Sequence, residues 1–352
     1  MSGWLITGGC GFIGSNFVRL AAARRLGPLL VLDALTYAGN LANIVDLLDG
    51  GQVSFVRGNV RDSALLAQLF ARHDLSHVVH FAAESHVDRS ILGPKPFLET
   101  NVDGTFALLE AARTAWNGAA GRRLFLQVST DEVFGSLAPD EPPFDERSPY
   151  RPNSPYAASK AAADHLARAW RHTFGLPVAV ANCSNNYGPW QFPEKLIPLM
   201  ILNAIDGKEL PVYGDGQQVR DWLHVEDHCE ALLAILAGGR AGATYAIGGG
   251  DECPNLAIVS AICAEVDRQL GRPAGTADRL IRHVADRPGH DRRYAIDAAQ
   301  IARELGWRPR HRLLPALPGL IRWYRDHRAW AEAIRSGEYR DYYQRQYGGR
   351  LA

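Results

Sequence analysis

Short apolar runs alternate with amphipathic stretches over the first half of this 352-residue chain. The apolar runs lie at 4–7, 29–33, 53–56, 77–83, 124–129 and 177–182. The stretches with helical periodicity lie near 13–25, 63–72, 99–116 and 156–174. Strands that alternate with helices form parallel sheets, and almost unbroken apolar runs are typical of strands buried on both faces. The pattern therefore predicts an α/β fold with a doubly wound parallel sheet.

The alternation weakens after about residue 188, where prolines and glycines separate shorter apolar segments. Helices are predicted at 194–206, 226–237, 255–270 and 312–335. Ligands of doubly wound sheets bind outside the carboxyl ends of the strands. We therefore expect a first domain over 1–188 and a smaller C-terminal α/β lobe over 189–352 that covers those ends. Segments of this lobe could return to the first domain.

Charge and cysteine content exclude several classes of protein. The 38 Lys and Arg residues balance the 38 Asp and Glu residues, whereas nucleic-acid-binding domains usually carry a basic excess. The five cysteines lack C-x-x-C spacing and the 12 histidines lack zinc-ligand spacing, which favours free thiols in a reducing compartment and no metal site. No signal peptide is visible, and no apolar run approaches the ~18 residues of a membrane span. We expect a cytoplasmic protein that binds neither nucleic acid nor membrane.

A glycine-rich loop follows the first predicted strand. Gly8, Gly11 and Gly14 form a G-x-x-G-x-x-G pattern that lets backbone N–H groups and a helix N-terminus contact a pyrophosphate. Asp33 ends the second strand, where a carboxylate accepts hydrogen bonds from adenosine ribose hydroxyls and repels a 2′-phosphate. These positions predict a Rossmann-type domain that prefers NAD to NADP. An ordinary glycine-rich turn and an N-cap aspartate are the alternatives.

Two further motifs suggest proton-transfer chemistry. Thr130, Asp131 and Glu132 follow the fifth strand, where adjacent carboxyl groups are candidates for acid and base. Tyr156 and Lys160 lie four positions apart, so a helix places them on one face. An ammonium and a cationic nicotinamide ring both favour the phenolate form of a tyrosine. A solvated turn and a chance Y-x-x-x-K remain open for either motif taken alone.

Together these motifs resemble the extended short-chain dehydrogenase/reductase family. The resemblance runs from Gly8 to the region of Tyr347. It includes the stretches 35–41, 83–90, 129–135, 182–189, 192–196 and 286–294. The Thr-Asp-Glu triplet is similar to that of the nucleotide-sugar 4,6-dehydratases. Related epimerases and decarboxylases share the glycine loop and the Tyr/Lys pair but lack this acid–base couple.

The resemblance implies a hydro-lyase that dehydrates dTDP-glucose with an internally recycled NAD. It implies that Tyr156 takes the proton of the 4-hydroxyl, that Thr130 hydrogen-bonds the same oxygen and that Lys160 holds the nicotinamide ribose. Glu132 would then remove the carbon-5 proton, and Asp131 would protonate the departing 6-hydroxyl. Hydride would finally return to carbon 6. The same resemblance assigns NAD binding to the first domain and sugar-nucleotide binding mainly to the second lobe. It also implies a homodimer formed through helices such as 99–116 and 156–174.

Ligand-binding residues also follow from the resemblance. The NAD-binding set is Gly8, Gly11, Phe12, Ile13, Gly14, Asp33, Ala34, Leu35, Thr36, Asn59, Val60, Phe81, Ala82, Ala83, Ser85, Thr100, Tyr156, Lys160 and Asn186. The substrate-binding set is Ser85, Thr130, Asn185, Lys195, Leu196, Pro211, Tyr213, Arg220, Asn255, Asp286, His290 and Tyr347. Asn59 departs from the family's usual Asp, but an amide oxygen can also accept a hydrogen bond from an adenine amino group.

Other functions stay open at this point. A 4-epimerase or decarboxylase of a UDP-sugar could use the same scaffold, and so could a binding or regulatory protein with an inactive dehydrogenase fold. Neither would have a use for Asp131 and Glu132. The lysines give a further indication, because only four of the 38 basic residues are lysines and two of these, Lys160 and Lys195, fall in the predicted site. A compact ammonium fits beneath a ribose better than a broad guanidinium does.

Overall fold

The computed structural model describes residues 2–335 of the chain. Its strands are β1 (Gly3–Thr7), β2 (Leu29–Asp33), β3 (Val53–Arg57), β4 (Leu75–His80), β5 (Leu124–Thr130), β6 (Val178–Cys183), β7 (Asn185–Tyr187), β8 (Leu210–Tyr213), β9 (Val219–His224), β10 (Thr244–Ile247), β11 (Glu252–Pro254) and β12 (Ile281–Val284). Its helices are α1 (Phe12–Ala23), α2 (Val45–Leu48), α3 (Ser63–Arg72), α4 (Val87–Leu92), α5 (Lys95–Leu98), α6 (Gly104–Trp116), α7 (Pro155–Phe174), α8 (Leu196–Asp206), α9 (Val225–Gly238), α10 (Asn255–Leu270), α11 (Ala299–Leu305), α12 (Leu313–Asp326) and α13 (Arg328–Ile334).

A seven-stranded parallel sheet forms the centre of the fold, with the strand order β10-β6-β5-β4-β1-β2-β3. In its register, Ile6 of β1 pairs with Val31 of β2 and with Val79 of β4. The order reverses beside β1, which creates the crevice where doubly wound sheets bind their ligands. The predicted α/β fold with a Rossmann-type doubly wound sheet is confirmed.

Helices cover both faces of this sheet because its strands are apolar on both sides. On one face, Phe17 of α1 and Leu232 of α9 pack in one buried cluster. On the other face, Leu69 of α3, Leu108 of α6 and Ala167 of α7 pack in a second cluster. β5 and β6 lie between the two clusters and are buried along their whole length.

The second half of the chain forms a smaller lobe and also returns to the first sheet. Strands β11, β9 and β7 form a three-stranded sheet, and β12 pairs with β8. Ile201 of α8, Ile262 of α10 and Ile321 of α12 pack in this lobe's own buried cluster. β10, however, extends the first sheet by pairing with β6.

Some element boundaries differ from the sequence prediction. The apolar run 77–83 leaves the sheet after His80, so its last three residues form a loop. The predicted helix 312–335 is two helices, because His327 leaves helical geometry with φ −105° and ψ 32°. The predicted helix 99–116 begins with a π-helical turn over Glu99–Asp103. Within residues 2–335, no helix is both long enough and apolar enough to cross a membrane.

Candidate active site

A cleft of about 310 Å³ lies at the carboxyl ends of β1, β2, β4, β5 and β6. The predicted site residues that line this cleft are Gly8, Gly11, Phe12, Ile13, Gly14, Asp33, Ala34, Thr36, Asn59, Val60, Phe81, Ala82, Ala83, Ser85, Thr100, Thr130, Asp131, Glu132, Tyr156, Lys160, Asn185, Asn186 and Lys195. The fold therefore brings the glycine loop, the acid–base triplet and the Tyr/Lys pair together at one edge of the sheet.

Several predicted residues do not line the cleft itself. Of the NAD-binding set this is Leu35, whose backbone N–H instead donates to Asp33 Oδ1 at 2.8 Å. Of the described substrate-binding set these are Leu196, Pro211, Tyr213, Arg220, Asn255, Asp286 and His290. Tyr347 falls outside the described residues.

The glycine loop is shaped by contacts that leave no room for side chains. Gly8 has a φ of +71°, and a Cβ there would lie 2.6 Å from Ala82 N. A Cβ on Gly14 would lie 2.2 Å from Gly8 O. α1 begins at Phe12 without a capping side chain, so its first N–H groups stay available in the cleft. This backbone surface fits a pyrophosphate, which carries the negative charge that a helix N-terminus favours.

Asp33 is held at the end of β2 by two backbone donors. Cys10 N donates to its Oδ2 at 2.9 Å, and Leu35 N donates to its Oδ1 at 2.8 Å. Burial raises the pKa of this carboxyl group, and the two N–H groups oppose that rise. Each carboxylate oxygen keeps a further lone pair that a ribose hydroxyl can use. The position therefore fits the adenosine end of NAD.

Asn59 lies in the cleft after β3, but its amide oxygen already has a partner. Arg61 N donates to Asn59 Oδ1 at 2.9 Å. One lone pair of that oxygen remains, which is enough for a single hydrogen bond from an adenine amino group.

Thr130, Asp131 and Glu132 lie where β5 ends in a short 3₁₀ turn. Thr130 Oγ1 donates to Asp131 Oδ1 at 3.2 Å, and Glu132 N donates to Thr130 Oγ1 at 3.3 Å. Asp131 is 1% exposed, and its Oδ2 has no hydrogen-bond partner among the described residues. The side chains are thus held by local contacts while one acidic oxygen stays available for a ligand.

The two carboxyl groups have unequal surroundings. Burial, followed by the charges of Glu132 and Asp221, raises the pKa of Asp131 well above its usual value. Burial also raises the pKa of Glu132, but the cations Arg287, Lys195 and Arg220 oppose that rise. The surroundings therefore favour protonation of Asp131 more than protonation of Glu132, and an acid and a base that act at one pH require such a difference.

Tyr156 and Lys160 lie on the first turns of α7. Ser154 caps this helix, since its Oγ accepts from Ala157 N at 3.1 Å. Lys160 is 4% exposed, and its Nζ donates to Val128 O at 2.8 Å. Burial and the charge of Glu132 raise the pKa of Tyr156 well above its usual value, and a hydrogen bond with Thr130 opposes this. Tyr156 is therefore a neutral phenol until a cation or a proton acceptor approaches it.

Behind Lys160 lies an acidic residue that the sequence analysis missed. Asp164 is fully buried on the next turn of α7, and its Oδ2 accepts from Ser129 Oγ at 2.7 Å and from Tyr150 Oη at 2.8 Å. Burial lowers the pKa of Lys160, and the charge of Asp164 opposes this effect. Asp164 therefore helps to keep the buried ammonium charged. Its i+4 spacing from Lys160 was the available signal.

The remaining predicted substrate residues form a group of contacts between the lobes. Lys195 Nζ donates to Ser85 O at 3.0 Å, which joins the second lobe to the loop after β4. Arg220 is 4% exposed and donates to Asp291 O at 2.9 Å. His290 Nδ1 lies 2.6 Å from Asp286 Oδ1. Arg220 is close enough to the carboxyl groups of Asp131 and Glu132 to lower their pKa values.

Other members of this group lie outside the cleft and contact other parts of the protein. Gln218 links two of them, because Gln218 O accepts from Asn255 N at 3.0 Å and Gln218 Nε2 donates to Asp286 Oδ2 at 3.1 Å. Tyr213 Oη donates to Asp88 Oδ2 at 2.9 Å. Leu196 begins α8 directly after Lys195, whereas Pro211 pairs within β8 and β12.

Sequence reasoning also missed several residues around the cleft. Cys183, Ser184, Gln191, Phe192 and Glu194 line it. All of these except Gln191 occur inside the stretches that carried the family resemblance, so that resemblance was the signal that could have identified them. Arg287 is similar: it belongs to the 286–294 stretch, and its guanidinium lies 3.5 Å from Asp88 Oδ1.

Comparison with known proteins identifies the family of the chain. A sequence model described as GDP-mannose 4,6 dehydratase matches residues 5–315. The dTDP-glucose 4,6-dehydratase of Xanthomonas campestris pv. campestris (strain B100) is 52% identical over 345 residues, which cover 97% of this chain and 98% of that protein. The chain belongs to the GDP-mannose 4,6-dehydratase family. The resemblance to a 4,6-dehydratase that the sequence motifs indicated is confirmed.

Solved structures of this family have the same fold. The dTDP-glucose 4,6-dehydratase DesIV from Streptomyces venezuelae, crystallised with NAD, superposes with a TM-score of 0.86 at 48% identity and covers 94% of this chain and 99% of its own. The dTDP-glucose 4,6-dehydratase of Bacillus anthracis str. Ames, also in complex with NAD, gives a TM-score of 0.84 at 43% identity and covers 95% of this chain and 100% of its own.

Proposed function

We propose that this chain is a dTDP-glucose 4,6-dehydratase, a hydro-lyase that converts dTDP-glucose to dTDP-4-keto-6-deoxyglucose and water. The observation that carries the proposal is the unequal pair Asp131 and Glu132 beside Tyr156 in one cleft. Oxidation at carbon 4 needs only one base, Tyr156, beside a hydride acceptor, whereas elimination across carbons 5 and 6 needs a further acid and base. Full-length similarity to proteins with this name supports the same reaction.

NAD is the cofactor of the proposed reaction. The uncapped start of α1 would bind its pyrophosphate, Asp33 its adenosine ribose and Lys160 its nicotinamide ribose. When bound, NAD supplies a hydride acceptor for carbon 4 and then a hydride donor for carbon 6. Since the cofactor is restored in each turnover, the enzyme needs no added oxidant.

The first step is loss of the 4-hydroxyl proton. Tyr156 takes this proton as the hydrogen on carbon 4 leaves as hydride, and Thr130 positions the same oxygen. The high pKa of the buried phenol means that the proton must leave Tyr156 before this step. A cationic ring in the cleft and the ammonium of Lys160 both stabilise the phenolate.

The second step is the elimination of water. The new 4-ketone acidifies the hydrogen on carbon 5, and Glu132 removes it as a proton. Asp131, protonated because of its burial, gives its proton to the 6-hydroxyl, which leaves as water. Hydride return to carbon 6 and proton return to carbon 5 from Glu132 then complete the product.

Substrate binding would use the cations between the two lobes. Arg220, Lys195 and Arg287 surround Glu132 closely enough to affect its pKa. A guanidinium fork matches the oxygens of a diphosphate, so Arg220 is the proposed diphosphate contact. Tyr347, which lies outside the described residues, remains a predicted substrate contact.

We further propose that the enzyme is a homodimer formed through α6 and α7. Phe106 on α6 is 48% exposed and Phe174 at the end of α7 is 51% exposed. The rings of both residues contact Trp170, with centroid distances of 5.7 and 5.4 Å. Adjacent exposed aromatic side chains of this kind are typical of interaction surfaces. A second copy of the same helices would bury them.

A cytoplasmic location is also part of the proposal. All five cysteines are free thiols, which persist in a reducing compartment. Fractionation of the source cells followed by an activity assay tests this, and activity confined to a membrane or secreted fraction would contradict it.

One incubation distinguishes the dehydratase from the alternatives. Purified protein receives dTDP-glucose in deuterated water without added NAD. The proposal requires a 4-keto-6-deoxy product with solvent deuterium at carbon 5, since the proton held by Glu132 exchanges with solvent. An epimerised product that keeps its 6-hydroxyl would support the 4-epimerase instead. No turnover with the cofactor bound would support a binding protein.

A further inference from the structure

A cluster of metal-ligating side chains lies outside the cleft, where the second lobe packs on α9. His224 is the N-cap residue of α9, Glu226 lies in its first turn and His311 precedes α12. Each of these residues offers a nitrogen or oxygen atom, and the three atoms lie within 4.8 Å of one another. Nothing in the proposed dehydration uses these residues.

The segment that carries His311 is held rigidly against the first turn of α9. Arg310 N and His311 N both donate to Asp227 Oδ2, at 2.9 and 2.8 Å. Trp307 Nε1 donates to Asp227 O at 3.0 Å. Three hydrogen bonds to one residue therefore fix the distance between the two segments before any ligand binds.

The ring of His311 lies beside Asp227, which is 1% exposed. Asp227 Oδ1 lies 3.1 Å from His311 Nδ1, but the two atoms are not in hydrogen-bonding geometry, and neither has a hydrogen-bond partner among the described residues. A small turn of the ring would let Nδ1 donate to this buried carboxylate and leave the lone pair of Nε2 for a metal ion. The Nε2 of His311 does point towards the cluster, because it lies 3.8 Å from Glu226 Oε2.

The ring of His224 has its lone pair on Nδ1. This atom accepts a long hydrogen bond of 3.3 Å from Glu226 N, so it is unprotonated, and a metal ion would replace this capping bond. The two imidazole rings stack at a centroid distance of 4.2 Å with 25° between their planes. The guanidinium of Arg310 offsets one of the two nearby carboxylates, since its Nε lies 3.8 Å from Asp227 Oδ1. The carboxylate of Glu226 is the one whose negative charge Arg310 does not offset.

We propose that His224, Glu226 and His311 form a binding site for a divalent transition metal such as Zn²⁺, with Asp227 as the buried carboxylate beside the other ring nitrogen of His311. Two imidazole nitrogens and one carboxylate oxygen form a common three-residue zinc ligand set, with water in the fourth position. Zinc bonds of about 2.0–2.1 Å place adjacent ligand atoms about 3.3 Å apart. Rotation of the exposed Glu226 and the half-exposed His311 side chains would separate the two stacked rings and bring the three ligand atoms to this distance.

Metal binding would cross-link two segments of the second lobe. His224 pairs with Tyr187 in the β9–β7 ladder, and the adjacent pair in that ladder includes Asn186, which lines the cleft. A bound metal would join the end of β9 to the segment before α12. It would therefore stabilise the folded protein without contacting the reacting groups.

The test uses the full chain, free of affinity tags and stripped of metal with a chelator. Zn²⁺ is titrated by calorimetry, and Co²⁺ by absorption of its tetrahedral d–d bands. We expect one equivalent of metal to bind and the melting temperature to rise. His311→Ala and Glu226→Gln should each weaken binding at least tenfold, a loss of the size seen when a zinc site is perturbed. His73→Ala, which removes an exposed histidine elsewhere, should bind like the unaltered chain.

Two outcomes would overturn the proposal. One is the absence of stoichiometric binding, and the other is binding that His311→Ala leaves unchanged. Both altered side chains are at least partly exposed, so their loss should not prevent folding. The readouts also do not depend on dehydratase activity, so the proposed function and the metal site can fail separately.

Discussion

The proposed acid and the proposed base have the same functional group but different surroundings. Asp131 and Glu132 are adjacent carboxylic acids, yet only Glu132 has three cations close enough to lower its pKa appreciably. Asp131 instead faces the acidic groups Glu132 and Asp221, and a single cation, Arg220, opposes them. Their roles can therefore be assigned from the residues around them, which the sequence motif alone does not reveal.

Replacing the acid should separate the two halves of the reaction. Asp131→Asn keeps the shape of the side chain but cannot donate a carboxylic proton, so elimination should slow by about 10²–10⁴-fold. Oxidation at carbon 4 should continue, and NADH should accumulate and absorb in the near ultraviolet during a single turnover. Equal slowing of oxidation and elimination would show that the role is misassigned.

Removing a cation should change the pH profile in a defined direction. Arg287 opposes the rise in the pKa of Glu132, so Arg287→Gln should raise that pKa further. A base works only when ionised, and activity is lost as the pH falls through its pKa. The acidic limb of kcat/KM should therefore move to higher pH in the variant.

The control for this profile is Arg292→Gln. Arg292 lies on the same loop as Arg287, but it is exposed and pairs with Asp215. Its acidic limb should match that of the unaltered enzyme. An unmoved limb in Arg287→Gln would show that Glu132 is not the base or that Arg287 does not influence it.

Two of the four lysines lie in the cleft and two lie at the surface. Lys160 and Lys195 line the cleft, whereas Lys95 and Lys208 have side chains that are 85% and 59% exposed and pair with Glu99 and Asp206. In the cleft Lys160 is 4% exposed and its ammonium donates to Val128 O, a setting that suits a compact point charge better than a broad guanidinium fork. At the surface either cation would serve.

At the scale of elements, the capped N-terminus of α7 positions Tyr156, the proposed proton acceptor, in the first turn of the helix. Ser154→Ala removes the side chain that caps the helix and should lower the free energy of unfolding by about 1 kcal/mol. Ser154→Thr keeps a capping hydroxyl and should recover most of that loss. Urea denaturation of both variants measures the difference, and an equal loss in the two would show that the cap is not the cause.

The strands were predictable because burial on both faces leaves an almost unbroken apolar run, as in β2, β5 and β6. Their ends were less predictable. Phe81, Ala82 and Ala83 are as apolar as the strand before them but turn into the cleft after His80. The short helices α4 and α5 were missed because four to six residues are too few to show a helical period.

Residue spacing alone predicted the site only where residues share a local motif, and the rest of the predicted site came from the family resemblance. Gly8 to Gly14 and Tyr156 to Lys160 are near neighbours in the chain, so spacing alone brings them together. His224 and His311 come from distant segments, and only the fold places their rings 4.2 Å apart. Arg287 lies in a stretch that carried the family resemblance, but residue type alone does not distinguish it from the other 33 arginines, and its neighbours in the fold do.

At the scale of the whole molecule, the proposed dimer depends on a few exposed aromatic side chains. Phe106→Arg places a charge in the centre of the α6–α7 surface and should halve the mass measured by light scattering. Leu314→Arg alters an equally exposed apolar residue, 55% exposed on α12, and should leave the mass unchanged. A dimer that survives Phe106→Arg, or one that Leu314→Arg dissociates, would place the interface elsewhere. The predicted division of the chain at residue 188 stays a prediction.

The balanced overall charge is compatible with an anionic substrate. The chain has a formal net charge of zero, so no basic field over the whole protein attracts a nucleotide sugar. Attraction must instead be local, from Arg220, Lys195 and Arg287 between the lobes. A site of this kind binds a diphosphate without the basic surface that nucleic-acid binding requires.

The most direct test of the account is the fate of the hydrogen on carbon 4. dTDP-glucose carrying deuterium at carbon 4 is converted in ordinary water, and the product is examined by NMR and mass spectrometry. The account predicts that one deuterium is retained and appears at carbon 6, because one cofactor accepts the hydride and returns it within a single turnover. Deuterium that remains at carbon 4, or that is lost to solvent, would contradict it.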